Sequence, residues 1–453
     1  MLTIAKFGGS SLSWEAQFKK VKNIVLSDPS RRVVVVSALG KRQLDDTKMT
    51  DLLYLIAAHI RHGVPCEGMW ETIIGRFTDV KEELSLTYDV ASELRSLKAE
   101  LASQKLNEDY LVSRGEYFTA KLVAEYLGYG FIDAKDVIKF QANGLIDLEK
   151  SRDQLQQAVG KTANVVIPGF YGALPGGGIK LFNRGGSDIT GAIAASCLNA
   201  DKYENWTDVP GVLMADPRII KNPVPVAQLS YEELSELSYM GANVLHEETI
   251  YPIRALNIPI HIKNTNDPNA RGTIISDSCK GRTAGISGIS GKKDFISLTI
   301  YKNHMSTEVG FLRRALAIFE DYRLNVEHVP TGIDHVGIII SAEEIENRLD
   351  ELVQTLTTEL GADEVSVKSD ISLITVVGRG LIGSSKVAAS IFSSLAKKDI
   401  EIQLIAQSPR TVNMIVGVAS QDFETAIQAL YEGLIPHEGA AGIFEVPKKK
   451  KAV

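Results

Sequence analysis

The sequence predicts an α/β fold in two parts, a parallel-sheet domain followed by two smaller βαββαβ units. Three observations carry this. An apolar run at Leu2–Ala5 and a β-branched run at Val33–Val36 flank a stretch, Trp14–Leu26, with helical spacing, and strand–helix–strand is how a parallel sheet begins. Two glycine-rich turns, Gly8-Gly9 and residues 176–191, sit at strand and helix ends, as phosphate loops do. Ile296–Tyr301 and Ile371–Val377 match closely at a spacing of about 75 residues, and each is followed by a glycine (Gly310, Gly383), a helix, two strands and a second helix.

In chain order, the first strand runs into Lys6-Phe7-Gly8-Gly9-Ser10-Ser11. Without Cβ atoms, the glycines let backbone N–H groups approach an anion, and Lys6 adds a point charge where phosphoryl oxygens would lie. The strand Val33–Val36 ends at Ser37, a polar stretch follows, and a helix begins near Thr50. Ligands of open α/β sheets bind beyond the carboxyl ends of strands, so Ser37 and Thr50 are candidate contacts; a plain helix N-cap accounts equally well for Thr50. Residues 67–127 are helical by pattern and hold Ser113-Arg114-Gly115-Glu116. Glu116 is either a part-buried acid that needs a cation, such as a substrate ammonium, or a surface acid paired with Arg114 or Lys121.

Strands are expected at Gly130–Asp133 and Asn164–Gly169, before the second glycine turn. That turn carries Arg184, a fork suited to carboxylate or phosphate, and Asp188, which can hold a lysine or Mg²⁺, and it opens into a small-residue helix. Two glycine loops, a lysine, an arginine and an acid point to phosphoryl transfer. Tyr203–Val212 predicts a strand and turn, Tyr231–Met240 a helix, and Ile258–Lys263 and Gly272–Ser276 closing strands. His246 is expected to be structural. Gly285–Lys293 is the best linker candidate.

At 453 residues the chain is too long for one core, and a net charge of −7 argues against a nucleic-acid or membrane surface. No apolar run reaches membrane-spanning length and no signal-peptide pattern opens the chain, so a cytoplasmic location is expected. Cys66, Cys197 and Cys279 share no metal spacing and are expected to be reduced structural thiols. Gly378-Arg-Gly380-Leu-Ile-Gly383, with Glu401 downstream, has the form of a dinucleotide fingerprint. Too little chain remains after it for that fold, and the matching part of the first repeat lacks its glycines. The repeats hold few clustered titratable groups, which suits ligand binding better than chemistry.

Lys6-Phe-Gly-Gly-Ser-Ser, Ser113-Arg-Gly-Glu116, Arg184-Gly-Gly-Ser-Asp188, Trp206-Thr-Asp-Val-Pro-Gly211, Ala215-Asp-Pro-Arg218 and Asn264-Thr265, taken in this order, resemble the aspartate kinases of the amino-acid-kinase fold. The C-terminal repeat resembles their paired ACT regulatory domains. The resemblance implies a three-layer, parallel-sheet amino-acid-kinase domain over 1–285, ferredoxin-like ACT domains over 294–367 and 368–446, and a basic tail over 447–453. It implies Mg²⁺-ATP and L-aspartate as substrates, with 4-phospho-L-aspartate as product at the entry to lysine, threonine and methionine synthesis. Lys6 would stabilise the transferring phosphoryl group, Gly8, Gly9 and Ser10 would cradle phosphates, and Asp188 would orient Lys6 or the metal. Arg184 would hold the substrate α-carboxylate and Glu116 its ammonium, with Ser37 and Thr50 nearby. Thr207, Asp208 and Arg218 would face ATP. No direct protein ligand to a metal is assigned.

Met305, Gly310, Phe311, Leu312 and Glu327 stand where lysine-inhibited relatives bind lysine, so feedback by lysine, alone or jointly with threonine, is expected, in a homodimer or homotetramer joined through ACT domains. Two departures are present. Asn243 stands where many relatives carry an ATP-reaching lysine, and His246-Glu247 replaces His-Pro. A kinase of the same fold for another acid, such as glutamate or carbamate, and a non-catalytic amino-acid sensor are the alternatives.

Overall fold

The computed structural model describes residues 1–43, 45–103, 107–161, 164–183, 185–242, 245, 247–277, 285–345 and 347–435. Arg184, Asn243, His246, Cys279 and the basic tail lie outside them. Two compact units interleave along the chain. The first comprises Met1–Val212, Pro225–Tyr231 and Asn243–Lys280, and the second Leu213–Val224, Glu232–Ala242 and Gly281–Val453.

The first unit is built on an eight-stranded sheet. Its strands are β1 (Thr3–Phe7), β2 (Val33–Val36), β3 (Gly130–Phe131), β4 (Val165–Pro168), β7 (Lys202–Thr207), β8 (Gln228–Leu229), β9 (Ile260–Asn264) and β10 (Thr273–Ile275), and a separate hairpin pairs β5 (Tyr171–Ala173) with β6 (Ile179–Leu181). The order is β3-β4-β2-β1-β7-β9-β10-β8, parallel except where β10 meets β9. Val33–Val36 are wholly buried, as a central parallel strand covered on both faces must be. The helices that matter here are α1 (Glu15–Leu26), α2 (Met49–Arg61), α3 (Glu67–Glu83), α4 (Val90–Ser103), α5 (Glu108–Leu127), α6 (Ala134–Val137), α7 (Leu148–Lys161) and α8 (Gly186–Cys197). The small side chains of α8 let it pack closely; an added Cβ at Gly191 would stand 2.7 Å from the Tyr203 ring of β7. No described helix is long and apolar enough to cross a membrane.

The second unit holds one six-stranded antiparallel sheet. It is formed by β11 (Gly288–Tyr301), β12 (Val326–His328), β13 (His335–Ser341), β14 (Glu364–Val377), β15 (Leu404–Ala406) and β16 (Asn413–Ala419), in the order β12-β13-β11-β14-β16-β15. The linker expected at Gly285–Lys293 is therefore largely strand. Gly288–Lys292 pair with Leu373–Val377, whereas Phe295–Tyr301 pair with β13 on one side and the first half of β14 on the other. Glycine at 291 answers a close approach rather than flexibility, because a Cβ there would stand 2.6 Å from the Leu373 carbonyl. The two repeats thus share one continuous sheet through the long strands β11 and β14.

Helices cover one face of that sheet in two clusters. Phe311, Ile318, Leu352 and Leu356 pack over Leu298 and Ile338 of the first repeat, and Ile391, Leu395, Ile427 and Leu430 over Ile374 and Val416 of the second. On the other face of the sheet, α9 (Tyr231–Tyr239) leads into Met240, which is buried with Phe295, Ile371, Leu373 and Ile415. Glu233 accepts a hydrogen bond from Ser287 Oγ at 2.5 Å, and Glu236 accepts one from Asn413 Nδ2 at 2.6 Å. The helix preceding the Asn243 segment is therefore anchored on the sheet of the repeats.

Candidate active site

The site of the first unit is assembled at the carboxyl ends of β1, β2 and β7. In the ladder Lys6 faces Val35 on one side and Asn205 on the other, so Lys6 and Asn205 share a sheet face, and Tyr203 shares it two residues back. Helix α8 lies on that face and brings Asp188 in its first turn. Lys6 Nζ is 2.6 Å from Asp188 Oδ1, and both side chains are largely buried. Asn205 Nδ2 donates to the same carboxylate oxygen at 2.9 Å, and Lys6 Nζ donates to Asn205 Oδ1 at 3.4 Å. Asp188 thus contacts the lysine, one of the two partners expected for it.

Beyond Lys6 the chain turns at Gly8-Gly9 into a single 3-10 turn, Gly9–Leu12, with Gly8 N–H held by the Trp206 carbonyl at 3.1 Å. The turn is pressed against the loop after β2: a Cβ on Gly40 would stand 2.2 Å from the Gly9 carbonyl oxygen, a distance no side chain tolerates. Gly185, in the left-handed conformation at φ 60°, caps the start of α8, whose free N–H groups open beside Lys6. A lysine, a glycine turn and a helix N-terminus converge, which is what a polyphosphate needs.

Glu116 lies on α5, which packs close to the end of β2, since a Cβ on Gly115 would stand 3.0 Å from the Ala38 Cβ. Glu116 is only 4% exposed, and its Oε2 has no hydrogen-bond partner among the described residues. Burial pushes its carboxyl up to about 8, against the lowering effects of the Ala38 backbone hydrogen bond and of the Arg114 charge. The surface-acid alternative is thereby corrected. Arg114 instead stacks on the rings of Tyr110, Tyr117 and Tyr171, and Lys121 pairs with Glu93. A buried acid with one unsatisfied oxygen calls for a cationic ligand.

Ser37 and Thr50 are half-buried, and Ser37 N–H donates to the Phe7 carbonyl. Thr50 is the second residue of α2, whose N-cap is Lys48, so the N-cap account of Thr50 does not hold. Thr207 ends β7 and donates to Asp208 Oδ1 at 3.1 Å, and Asp208 is exposed. Arg218 belongs to the second unit, where Asp216 binds its guanidinium at 2.6 and 3.0 Å. In that unit Met305 and Phe311 are core residues, Leu312 is exposed, Gly310 caps the helix Phe311–Asp321 at φ 82°, and the Glu327 carboxylate accepts from Tyr239 Oη at 2.6 Å.

Two features escaped the sequence. One is Asn205. The other is the reverse face of β7, where buried Glu204 is bound by Arg31 at 2.7 Å, Lys202 at 2.8 Å and Trp206 Nε1 at 3.0 Å. Burial would raise the Glu204 carboxyl, but the Arg31 and Lys202 hydrogen bonds outweigh it and hold it below the ordinary range.

The amino acid kinase family matches residues 1–264, and an ACT domain matches residues 374–434. Aspartokinase 3 of Bacillus subtilis is 35% identical over 95% of this chain and 98% of its own length. The chain belongs to the aspartokinase family. It is therefore a phosphotransferase of α/β class with a regulatory ACT region. Among solved aspartokinases, that of Clostridium acetobutylicum is 41% identical with a TM-score of 0.85, covering 96% of this chain and 99% of its own. Escherichia coli aspartokinase III, solved with aspartate and ADP, is 25% identical with a TM-score of 0.77, covering 96% of this chain and all of its own.

Proposed function

We propose that the chain transfers the γ-phosphoryl group of Mg²⁺-ATP to the β-carboxylate of L-aspartate. The observation that carries this is Glu116, a buried acid with an unsatisfied oxygen, set on the same sheet end as the Lys6 loop. A substrate ammonium answers the acid, and the aspartate and ADP held by the Escherichia coli relative are the matching pair. Arg184 takes the α-carboxylate, with Ser37 and Thr50 beside the substrate, while Gly8, Gly9 and Ser10 carry phosphate oxygens and Thr207, Asp208 and Arg218 serve the nucleotide.

The β-carboxylate oxygen attacks Pγ while the Pγ–O bond to ADP breaks, giving an acyl phosphate. The attacking carboxylate is already ionised, so no strong base is needed, and catalysis is positioning plus electrostatic stabilisation. Lys6, steered by Asp188, stabilises charge on the transferring group. Mg²⁺ would come with the nucleotide phosphates and neutralise their charge there, and no protein ligand to it is assigned. In this reading the enzyme works in the cytoplasm, at the entry to lysine, threonine and methionine synthesis.

We assign 1–285 to the kinase part, 294–367 and 368–446 to ACT domains and 447–453 to a basic tail. Feedback by lysine, alone or with threonine, acts at Met305, Gly310, Phe311, Leu312 and Glu327, the last supplying the acid a cationic side chain requires. The exposed apolar Val309 and Ile333 suit pairing into a dimer or tetramer through this region. The test is ADP release coupled to hydroxamate trapping of the acyl phosphate, with and without lysine and threonine. Aspartate-dependent turnover suppressed by lysine is expected; turnover indifferent to both amino acids would discard the effector, and none with aspartate would move the substrate to another acid.

A further inference from the structure

The Lys6–Asp188 pair is not a simple contact of two ions, because a third buried side chain touches both. We infer that Asn205 is a positioning residue for phosphoryl transfer, acting through Lys6 and Asp188; this rests on the reading of that pair as the catalytic one. Asn205 is 3% exposed on β7, in register with Lys6 on β1. Its two amide ends are divided between the two ions. The Nδ2 donates to Asp188 Oδ1 at 2.9 Å and the Oδ1 accepts from Lys6 Nζ at 3.4 Å.

This division has a specific consequence. An ammonium has three N–H vectors and rotates freely on its stem. The Asp188 contact alone leaves the remaining two free to sweep a cone. A second acceptor on the neighbouring strand fixes the rotation, so the third N–H is held in one direction, with Gly8 of the glycine turn beside Nζ: a Cβ on Gly8 would stand 3.5 Å from it. Asparagine accomplishes this without charge. A second carboxylate there would compete for the lysine, and an apolar side chain would remove one of the two donors to Asp188 Oδ1 together with the second acceptor of the lysine. The effect is on how the lysine meets the transition state, not on how substrates bind. Removing it therefore lowers kcat and leaves the KM values in place.

The experiment uses the full chain with two near-isosteric substitutions, Asn205→Asp, which keeps the acceptor and loses the donor, and Asn205→Leu, which loses both. Steady-state constants for both substrates and thermal midpoints are measured beside Lys6→Met. A loss of kcat of about tenfold (about 1.4 kcal/mol) in Asn205→Leu is expected, with a loss in Asn205→Asp as well, where the new carboxylate competes with Asp188 for the lysine, and both KM values within about twofold of the parent. Parental kcat in both Asn205 variants, or losses shared equally among kcat, both KM values and the thermal midpoint, overturns the inference while leaving the pair intact. Parental turnover in Lys6→Met removes the underlying reading, and the inference with it.

Discussion

Glu116 is where the protein trades stability for binding. Its carboxyl titrates near 8 in the folded chain against about 4.5 in a free one. Below the lower value both states hold the proton and no penalty exists. Between the two only the folded state holds it, so stability falls as pH rises, and above the higher value the full cost of a buried carboxylate stands. Glu116→Gln should accordingly raise the thermal midpoint at pH 9 and change it little at pH 4.5. The same substitution should raise the KM for aspartate about 10- to 100-fold, the usual worth of a hydrogen bond to a charged group. In the parent, kcat/KM for aspartate should climb with pH toward 8, since the free enzyme must lose the Glu116 proton before it receives an ammonium. Scanning calorimetry and a pH–rate profile check both halves, and a variant less stable than the parent at pH 9 would refute the desolvation account. Glu116 was legible as an acid with two readings, because Gly115 and the aromatic residues around it are local in sequence. Its burial was not, because Ala38, whose backbone bonds it, and α2, which packs against α5 at Gly115, come from residues about 55 to 78 positions earlier.

The elements of the site follow from strand ends and glycine turns, and those were readable where the signal was contiguous. Lys6 with Gly8-Gly9, and Asp188 with Gly185-Gly186, announce themselves because each ion sits inside its own turn. Asn205 does not, since its partners lie 17 and 199 residues away and only the β1–β7 register unites them. Gly40 was hidden for the same reason, in what reads as an ordinary polar stretch. Its missing Cβ is what lets the loop after β2 rest on the first glycine turn, with the Gly9 carbonyl 2.2 Å and the Ser10 nitrogen 2.9 Å from where a Cβ would stand. Gly40→Ala should therefore displace Gly9 and Ser10 and raise the KM for Mg²⁺-ATP about tenfold, roughly the loss of one well-placed phosphate contact. Nucleotide titration by isothermal calorimetry would show it directly, and unchanged affinity would mean that these two residues do not carry phosphate.

At the scale of the molecule the period-75 repeat was legible, but its wiring was not. A repeat in sequence suggests two closed sheets in tandem, whereas pairing of Gly288–Lys292 with Leu373–Val377 draws the strand before the first repeat into the sheet half of the second. Periodicity reports which residues face a core, not which strand supplies the neighbouring ladder. The interleaving goes further. Met214, Ile219 and Ile220 pack against the cluster that holds Ile374, Val376 and Ile391, and Met240 against Phe295, Ile371 and Leu373. All of these partners lie after residue 285, although Met214 and Met240 fall within the span matched by the amino acid kinase family. A chain ended at residue 285 would expose both apolar surfaces and leave Glu233 without Ser287 and the Arg379 N–H. Such a fragment should bind a hydrophobic dye, lose cooperative melting over the 232–242 segment by hydrogen exchange, and show little or no turnover. A fragment that melts cooperatively, stays monodisperse and turns over like the full chain would mean that the catalytic unit does not depend on the shared sheet. Catalysis and regulation would then be separable at that boundary, which the packing of Met214 and Met240 argues against.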